Sequence, residues 1–444
     1  MKTFCVQTLG CKVNQYESEQ LSALLRARGL VETSPERAEL RIINSCSVTV
    51  QAASQSRQAA RRMIRLPVLS DARPDLALPQ DPSASSSAAM QGDRRVIVTG
   101  CWATSDKASA LSIAGIDAVL THQDDVAAEL DRLLTLWRLA KSENGPEVAP
   151  NQNAAVDSPH SALNDGWMIK AGSGAGDRTS DNRAKSSANV NEIPHARYVD
   201  SSSARGANSL PLLGEHQSGR QRAFLKIQDG CDAHCTYCII PQLRPALHSK
   251  PVSDTIEEAK RLVSSGHAEI VLTGIFLGAY GQPTSLRRRQ PGGDSPLGDL
   301  VETLCEQVPG LKRLRLSSLE PGDLTPQLLS VLSRHEQVVP HFHLPLQSGS
   351  DELLRKMNRQ YRRDDFLRMI DQVREAFDRP ALTTDIIVGF PGESDAEFER
   401  TVEVVEHSRF IHVHAFPFSP RPGTAAARWK DQFVHGPAVN ERIS

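Results

Sequence analysis

The sequence predicts an α/β protein with an N-terminal open parallel α/β domain at 1–138 and a partial (β/α)6 barrel at 222–435. In both regions, short apolar runs of strand length alternate with longer segments of helical period, as in parallel sheets connected by helices. Between them, at 139–221, Ser, Asn, Gly, Asp and Ala dominate, and Phe and Cys are absent. Such a segment buries too little apolar surface to offset its ordering entropy, so we expect a low-complexity linker there.

Four strands and two helices are expected in the N-terminal domain. The strands are predicted at 4–10, 40–44, 96–99 and 117–120, and the helices at 17–28 and 48–64. A stretch rich in Pro, Ser and Ala at 66–95 is predicted to be a surface insertion.

Six strands with helical segments between them are expected in the second domain, too few for a closed eight-fold barrel. The strands are predicted at 224–228, 269–273, 313–317, 342–346, 384–388 and 413–418, and the helices at 254–265, 297–307, 326–335, 363–377 and 395–407. A charged loop at 286–294 is expected to be solvated, with contact to RNA phosphates as the alternative.

Composition narrows the class of protein. The 444 residues carry 51 Lys and Arg against 53 Asp and Glu, so any nucleic-acid partner must meet a local basic patch. No run approaches the roughly 18 apolar residues of a membrane span. Eight cysteines are too few for a disulfide scaffold, and we expect a cytoplasmic location where clustered cysteines bind metals or catalyse reactions.

The run Cys231-x3-Cys235-x2-Cys238 directly follows a predicted strand. Three thiolates on one short loop are suited to three corners of a [4Fe–4S] cluster, and with no fourth Cys nearby one iron stays open for a small molecule. Zinc with His234 or His248 as a fourth ligand is the alternative.

Three further cysteines follow three predicted strands. Cys11, Cys46 and Cys101 each lie at a carboxyl end, and these ends form the binding crevice of an open α/β sheet. The sequence therefore predicts a second, auxiliary [4Fe–4S] site. Cys5 and Cys305, inside a strand and a helix, are predicted to be core thiols.

The Cys231 run resembles that of the radical S-adenosylmethionine (AdoMet, SAM) enzymes. In that family the open iron binds AdoMet, and an electron from the cluster cleaves it to a 5′-deoxyadenosyl radical. The resemblance places Tyr237 beside the adenine of AdoMet, with loop packing as its structural alternative.

Both cysteine sets together resemble the radical SAM methylthiotransferases. The supporting motifs are TLGCKVNQYES at 8–18, INSCSVT at 43–49, VTGCWA at 98–103, LTGIFLG at 272–278, RLSSLEP at 315–321, HLPLQSG at 343–349, KMNR at 356–359, DIIVGFPGE at 385–393 and FSPRPGT at 418–424. The Lys-Val-Asn-Gln form of the first motif is similar to the branch acting on N6-threonylcarbamoyladenosine in tRNA.

The resemblance implies an enzyme that replaces hydrogen at C2 of that adenine, next to the anticodon, with a methylthio group. Its cofactors would be AdoMet and two [4Fe–4S] clusters. Its partners would be the tRNA anticodon stem-loop and an electron donor such as a flavodoxin-type protein; the sulfur donor is not implied. A radical site at Cys231, Cys235 and Cys238 would abstract hydrogen, and the auxiliary site would present sulfur.

Polar or small residues at the barrel strand ends are expected to contact AdoMet. They are Gly274, Ser318, Glu320, Gln347, Asp385 and Gly389. Turn and capping roles are the alternative for each.

Several features depart from the family pattern. Pro245, His248 and Phe276 stand where Gly, Arg and His are usual, and the small RNA-binding β-barrel domain at the family's C-terminus is expected to be absent. The basic stretches at 57–65 and 287–289 are then the expected RNA contacts. The rivals are a methylthiotransferase acting on isopentenyladenosine or a ribosomal-protein aspartate, a two-cluster radical enzyme of other chemistry, and an inactive iron–sulfur RNA-binding protein.

Overall fold

Five parallel strands form the N-terminal sheet of the computed structural model, which describes residues 1–68, 94–143, 210–214, 221–286 and 295–444. The strands are β1 (Thr3–Thr8), β2 (Val31–Glu32), β3 (Leu40–Ser45), β4 (Arg95–Gly100) and β5 (Ala118–Val119), in the spatial order β2-β1-β3-β4-β5. The helices are α1 (Lys12–Ala27), α2 (Val50–Arg65), α3 (Cys101–Ser105), α4 (Lys107–Leu111) and α5 (Val126–Glu143).

Helices cover both faces of this sheet, so its strands are apolar on both sides. On one face, Leu21 and Leu25 of α1 and Leu130 of α5 pack against the sheet. On the other, Met63 of α2 and Trp102 of α3 do so. The predicted open parallel α/β domain is confirmed, and its strand order changes direction between β1 and β3.

Helix α1 begins at Lys12, five residues before the predicted start. Cys11 occupies the N-cap position, and the first turn buries Asn14, whose amide donates to the Leu9 carbonyl at 2.8 Å and to the Ser45 carbonyl at 3.0 Å. Because this turn is anchored by polar groups, a search for apolar periodicity misses it.

The second region contains six parallel strands and a short antiparallel one. They are β6 (Arg222–Asp229), β7 (His248–Ser249, antiparallel), β8 (Glu269–Gly274), β9 (Arg313–Leu316), β10 (His341–His343), β11 (Ala381–Val388) and β12 (His412–Pro417). The order is β7-β6-β8-β9 in one sheet and β10-β11-β12 in the other, with bridges Leu314–Val338 and Ser318–His343 between them. The predicted partial barrel is confirmed.

Helices cover the outer face of these strands. They are α6 (Ile240–Leu243), α7 (Val252–Ser264), α8 (Pro296–Gln307), α9 (Pro326–Arg334), α10 (Asp351–Lys356), α11 (Arg363–Ala376), α12 (Asp395–Ser408) and α13 (Gly436–Ile443). Phe342, Leu382 and Ile386 belong to the apolar core with these helices. Because side chains alternate along a strand, His343 and Asp385 lie on the opposite, inner face. We call this inner face of β10, β11 and β12 the lumen wall.

Some elements differ from the sequence prediction. Strand β10 is shorter than expected because the Leu346 N–H donates to the Thr384 hydroxyl at 3.0 Å instead of to a backbone carbonyl of β11. Helix α5 was not predicted. Cys5 and Cys305 are buried in β1 and α8, as expected of core thiols. In the part of the chain that is described, no helix is both long and apolar enough to cross a membrane.

Contacts within the chain define two compact units, Met1–Trp137 with Ala196–Ser444, and Arg138–His195. The first contains both the N-terminal sheet and the barrel. Of the second, the structure describes only 138–143, the end of α5. Most of the predicted insertion at 66–95 and of the predicted linker at 139–221, and residues 287–294 of the charged loop, lie outside the described residues.

A buried network of four charged side chains joins α1 to the barrel. The Arg244 guanidinium donates to both Glu17 carboxylate oxygens at 2.8 and 2.9 Å and to both Asp229 oxygens at 2.7 and 2.8 Å. The Lys226 ammonium donates to Glu17 and Asp229, each at 2.9 Å. Two cations and two anions balance, so no buried charge is left without a partner.

The network changes the acidity of its members. Burial alone raises the pKa of Glu17, but Arg244 and Lys226 outweigh it and bring that pKa from 4.5 to about 2. The same two cations hold the pKa of Asp229 far below its usual range despite burial. Both carboxylates therefore stay charged at neutral pH.

Replacing Glu17 with Ala should destabilise the protein, because it leaves the buried Arg244 and Lys226 with one carboxylate fewer. We expect the free energy of unfolding at pH 7 to fall by about 3–5 kcal/mol. Asp378→Ala is the matched control, because Asp378 pairs with Arg379 in full solvent and such a pair contributes little. Denaturant titrations of both variants measure the difference.

The pH dependence provides a second readout of the same variant. Since the folded-state pKa of Glu17 is lowered, its stabilisation is complete above about pH 4.5 and is lost as the pH falls towards about 2. The gap between the wild type and Glu17→Ala should therefore narrow in acid. A gap of the same size at pH 7 and pH 3 would contradict the assignment.

Candidate functional site

The first cysteine set lies at the carboxyl ends of three adjacent strands. Cys11 follows β1 and caps α1, Cys46 follows β3, and Cys101 opens α3 directly after β4. In an open parallel sheet the ligand crevice forms where the strand order reverses, which here is between β1 and β3. Cys11 and Cys46 flank this point, and Cys101 is one strand further along.

Glycines allow the chain to turn immediately before two of these cysteines. Gly100 has a φ of +89°, and a Cβ there would meet the Ser45 carbonyl oxygen and the Asn44 Oδ1 at 2.4 Å. Gly10 has a φ of +101°, and a Cβ there would lie 2.8 Å from the Cys46 Cβ and 2.9 Å from its Sγ. Only glycine fits at either position, and the loop before Cys11 consequently lies directly against Cys46.

The thiols of this set differ in exposure but interact electrostatically. Cys11 is exposed, whereas Cys46 and Cys101 are buried. Burial raises the pKa of Cys46, and it raises that of Cys101 to about 12; the negative charge of Cys11 contributes to both shifts. Such buried thiols ionise only when a cation compensates the thiolate, which is what a metal centre supplies.

The second cysteine set lies on the loop after β6. The Cys231 N–H donates to the Arg244 carbonyl at 3.0 Å, and the Cys238 N–H donates to the Cys235 carbonyl at 3.0 Å. The Ala233 N–H donates to the Cys231 Sγ at 3.4 Å. Burial raises the pKa of Cys231 to about 11 and that of Cys238 to about 12, with the neighbouring thiols adding to both shifts.

Arg359 holds this loop through hydrogen bonds to two of its side chains. Its Nη1 donates to the Cys235 Sγ at 3.3 Å and to the Tyr237 hydroxyl at 3.5 Å, and its Nη2 pairs with the Glu320 carboxylate at 2.6 Å. The preceding Asn358 donates its amide to the His234 carbonyl at 3.0 Å. A hydrogen bond to a thiolate sulfur is one of the ways in which a protein tunes an iron–sulfur centre.

The two cysteine sets are neighbours across the first unit. Cys101 packs against Ile239 and Leu243, which belong to the segment directly after Cys238. Both sets offer three thiols on short loops, as a [4Fe–4S] cluster with one open iron requires. Among the described residues, no three His, Cys, Asp or Glu side chains converge closely enough to hold a single ion.

Three of the residues expected to bind AdoMet belong to the barrel interior. The Asp385 carboxylate lies 3.2 Å from the His343 Nε2 on the lumen wall. Ser318 forms a backbone bridge to His343. Gln347, with a φ of +62°, donates its N–H to the Asp385 carbonyl at 2.8 Å and accepts from the Ile387 N–H at 2.9 Å.

Packing alone accounts for the two glycines expected at this site. A Cβ on Gly274 would lie 2.9 Å from the Gln228 Cβ, and one on Gly389 would lie 2.5 Å from Cγ2 of Val439. Arg359 thus joins Tyr237 and Glu320 to the cysteine loop. Asp385, Ser318 and Gln347 lie on or beside the lumen wall. Gly274 and Gly389 have structural explanations. Their role toward AdoMet stays a prediction.

Two residues of this site carry no predicted role. Arg359 ends the KMNR motif between the polar residues Asn358 and Gln360, so no local pattern marks it as buried. Lys12 follows Cys11 and is exposed to solvent as a whole residue, and the pKa of its ammonium is lowered by partial burial and by the cations Arg222 and Arg315, with Asp385 opposing them. The Lys12 charge therefore interacts with charges of the barrel strands, a long-range relation that sequence spacing does not reveal.

The residues that depart from the family pattern lie next to the network. In the antiparallel ladder of β6 and β7, His248 lies opposite Asp229, and Pro245 follows Arg244 in the chain. The Phe276 N–H donates to the Gln228 Oε1 at 2.7 Å. The arginine that joins Glu17 and Asp229 is therefore retained in this altered loop.

Comparison with known proteins identifies two families in the chain. Residues 225–405 match the radical SAM superfamily, and residues 3–78 match the uncharacterized protein family UPF0004. The described part of the first match begins in β6 and ends in α12, and the second spans β1 to α2.

Curated relatives match along the whole chain. The threonylcarbamoyladenosine tRNA methylthiotransferase MtaB of Bacillus subtilis is 32% identical over all of this chain and 79% of its own length. The enzyme of the same name from Chlamydia pneumoniae is 33% identical over 97% of this chain and 78% of its own. The tRNA-2-methylthio-N(6)-dimethylallyladenosine synthase of a Parafrankia species is 31% identical over 99% of this chain and 72% of its own length.

A solved structure supports the fold. The radical S-adenosylmethionine methyltransferase TsrM from Kitasatospora setae, with cobalamin and a [4Fe–4S] cluster bound, has a TM-score of 0.54 at 14% identity, covering 96% of this chain and 77% of its own.

Substituting Gly100 with Ala should remove iron from the first cysteine set alone. The new Cβ would collide with the Ser45 carbonyl at a backbone angle that alanine rarely adopts, and this would displace Cys101. Two four-iron clusters correspond to about eight Fe per chain, and we expect about four in the variant after anaerobic reconstitution.

Gly29→Ala provides the matched control for that experiment. Gly29 also has a positive φ, +81°, but nothing lies within 4 Å of a Cβ at that position. It should retain the full iron content. If Gly100→Ala also binds about eight Fe, the close packing around Cys101 does not shape an iron site.

Proposed function

Because the chain belongs to the radical SAM methylthiotransferases, enzymes that use AdoMet and two [4Fe–4S] clusters, we propose that it methylthiolates C2 of N6-threonylcarbamoyladenosine next to the anticodon of tRNA. Relatives named for this nucleoside and relatives named for dimethylallyladenosine have almost the same identity to the chain. The choice between them therefore depends on the chemistry of the site.

The two cysteine sets take different roles in this proposal. Cys231, Cys235 and Cys238 hold the cluster that binds AdoMet, and Cys11, Cys46 and Cys101 hold the cluster that presents sulfur. When bound, these groups supply the hydrogen-abstracting radical and the methylthio group. A flavodoxin-type protein is the proposed electron donor.

The protein's own residues position and shield the reactants. Arg359 holds Glu320 and Tyr237 next to the cysteine loop, so both side chains are oriented before AdoMet arrives. The apolar contact of Cys101 with Ile239 and Leu243 shields the Cys101 thiol from water. Such exclusion limits competing radical reactions.

The positive charge around Lys12 is the observation that carries the substrate assignment. Lys12 directly follows Cys11, and its ammonium experiences the charges of Arg222, Arg315 and Asp385. Glu269 pairs with Arg222 at 3.0 Å and with Arg315 at 2.8 Å, so these cations share one carboxylate. Among these five side chains, the three cations outnumber the carboxylates Glu269 and Asp385.

This charge complements one substrate better than the other. The threonylcarbamoyl group ends in a carboxylate, which Lys12 is placed to meet through a charge-assisted hydrogen bond. The dimethylallyl group is an apolar hydrocarbon, and binding it here would desolvate the cations without compensation.

The decisive experiment compares the tRNA nucleosides of a strain with and without the gene by mass spectrometry. We expect the methylthio form of N6-threonylcarbamoyladenosine to vanish on deletion and to return when the gene is restored. A gene carrying Cys101→Ala should not restore it. Loss of the methylthio dimethylallyl or isopentenyl nucleoside instead would identify the other tRNA branch, and an unchanged profile would reject tRNA methylthiolation.

Lys12 should discriminate between the substrates. Replacing Lys12 with Met removes a charged hydrogen bond of about 1.5–3 kcal/mol, so kcat/KM for tRNA bearing N6-threonylcarbamoyladenosine should fall by roughly 10- to 150-fold. Lys12→Arg keeps the charge and should retain most of the activity.

Two controls accompany the Lys12 variants. Iron content should stay at about eight Fe per chain, which separates a substrate effect from damage to the neighbouring Cys11. Lys312→Met, at an exposed lysine outside the site, should leave kcat/KM unchanged. If Lys12→Met acts on the tRNA as well as the wild type does, the charge of Lys12 does not recognise the substrate.

A further inference from the structure

Strand β12 carries three rings on alternate residues, and none of them belongs to the apolar core. His412, His414 and Phe416 are all exposed, with 45% of Phe416 accessible to solvent. The strand lies at the edge of its sheet. Its register pairs His414 with Asp385, so the three rings lie on the lumen wall.

The rings form a continuous row along the strand. The centroids of His412 and His414 are 4.3 Å apart, with the ring planes at 75°. Those of His414 and Phe416 are 6.3 Å apart, with the planes only 20° from parallel. His414 also meets the ring of His343 on the neighbouring part of the lumen wall, with the centroids 6.0 Å apart. The rings thus contact one another edge to face or nearly parallel, and they remain exposed to solvent.

Packing within the barrel core does not account for this row of rings. The outward-facing Val413 and Ala415 pack against the barrel core, so the strand is held in place without the three rings. Among the described residues, none buries the Phe416 ring. A row of exposed rings inside a barrel that is open at this edge is suited to binding a flat partner.

A contact between the segment after β12 and helix α2 indicates the kind of flat partner. Two residues beyond the strand, the Ser419 hydroxyl accepts from the Val50 N–H at the start of α2. Helix α2 carries Arg57, Arg61 and Arg65 at intervals of four residues, with Arg61 and Arg65 exposed. Four residues rise about 6 Å along a helix, so these cations form a row suited to a phosphate backbone.

We infer that His412, His414 and Phe416 form a stacking platform for the unpaired bases of the substrate's RNA loop, while the arginines of α2 meet its phosphates further along the RNA. This inference rests on the proposed function, in which the substrate adenine lies in such a loop. Unpaired bases stack on aromatic and histidine rings, whereas bases within a duplex cannot reach them.

The test measures RNA binding by the iron-loaded protein, separately from modification. A fluorescently labelled RNA stem-loop with an unpaired seven-base loop is compared with a fully paired duplex of the same length. Phe416→Leu keeps an apolar side chain but removes the ring, and should weaken stem-loop binding by about 5- to 150-fold. Phe416→Trp should restore it, and duplex binding should be the same in all variants.

Ile411→Ala is the matched control, because Ile411 is exposed to 66% immediately before the strand. It should bind the stem-loop as the wild type does, and matched thermal melting curves establish that all variants are folded. The inference is overturned if Phe416→Leu binds the stem-loop with wild-type affinity. It is also overturned if this variant loses affinity for AdoMet alone, since the ring would then stack on the adenine of AdoMet.

Failure of this inference is distinguishable from failure of the proposed function. A Phe416-dependent affinity for the stem-loop together with an unchanged nucleoside profile would support the platform and reject the modification. Formation of the methylthio nucleoside together with wild-type binding by Phe416→Leu would reject the platform alone.

Discussion

Four buried charges determine where the two cysteine sets stand relative to each other. Cys11 caps α1, and Glu17 lies on the same helix; Cys231 follows β6, which carries Lys226 and Asp229. Arg244 binds both carboxylates with its side chain and holds the Cys231 N–H with its carbonyl. The two cations and two anions all have ion-pair partners in this arrangement, so a shift of α1 along β6 would leave a buried charge without a partner.

The electrostatics of the site follow from this alignment. With α1 fixed, Lys12 interacts electrostatically with Asp385 and Arg315, and the exposed Cys11 directly precedes it in the chain. Arg359 acts on the other side, where it links Cys235, Tyr237 and Glu320. A substrate in the barrel would thus lie between the second cysteine set, which Arg359 supports, and the first, which Lys12 adjoins.

Local sequence patterns were sufficient for the longer strands and for the cysteines that follow them, but they missed the two-residue strands β2 and β7. Apolar runs mark β3, β4 and β8, and Cys46 and Cys101 lie directly after strands whose parallel order brings their ends together. The first turn of α1 escaped because Asn14 is buried through hydrogen bonds rather than through apolar contact. Arg359 and Lys12 escaped because their partners are far away in the chain, and only the folded structure shows which charges meet.

The charged network also has a consequence for biosynthesis. Glu17 and Arg244 are 227 residues apart, and Tyr16 bonds to Glu258 across 242 residues. At a synthesis rate of about 5–20 residues per second, α1 waits roughly 10–45 s on the ribosome before its partners emerge. During that interval Tyr16 and Glu17 on α1 lack their hydrogen-bond partners in the barrel. Cys11 therefore reaches its final environment only after β6 and Arg244 have been synthesised.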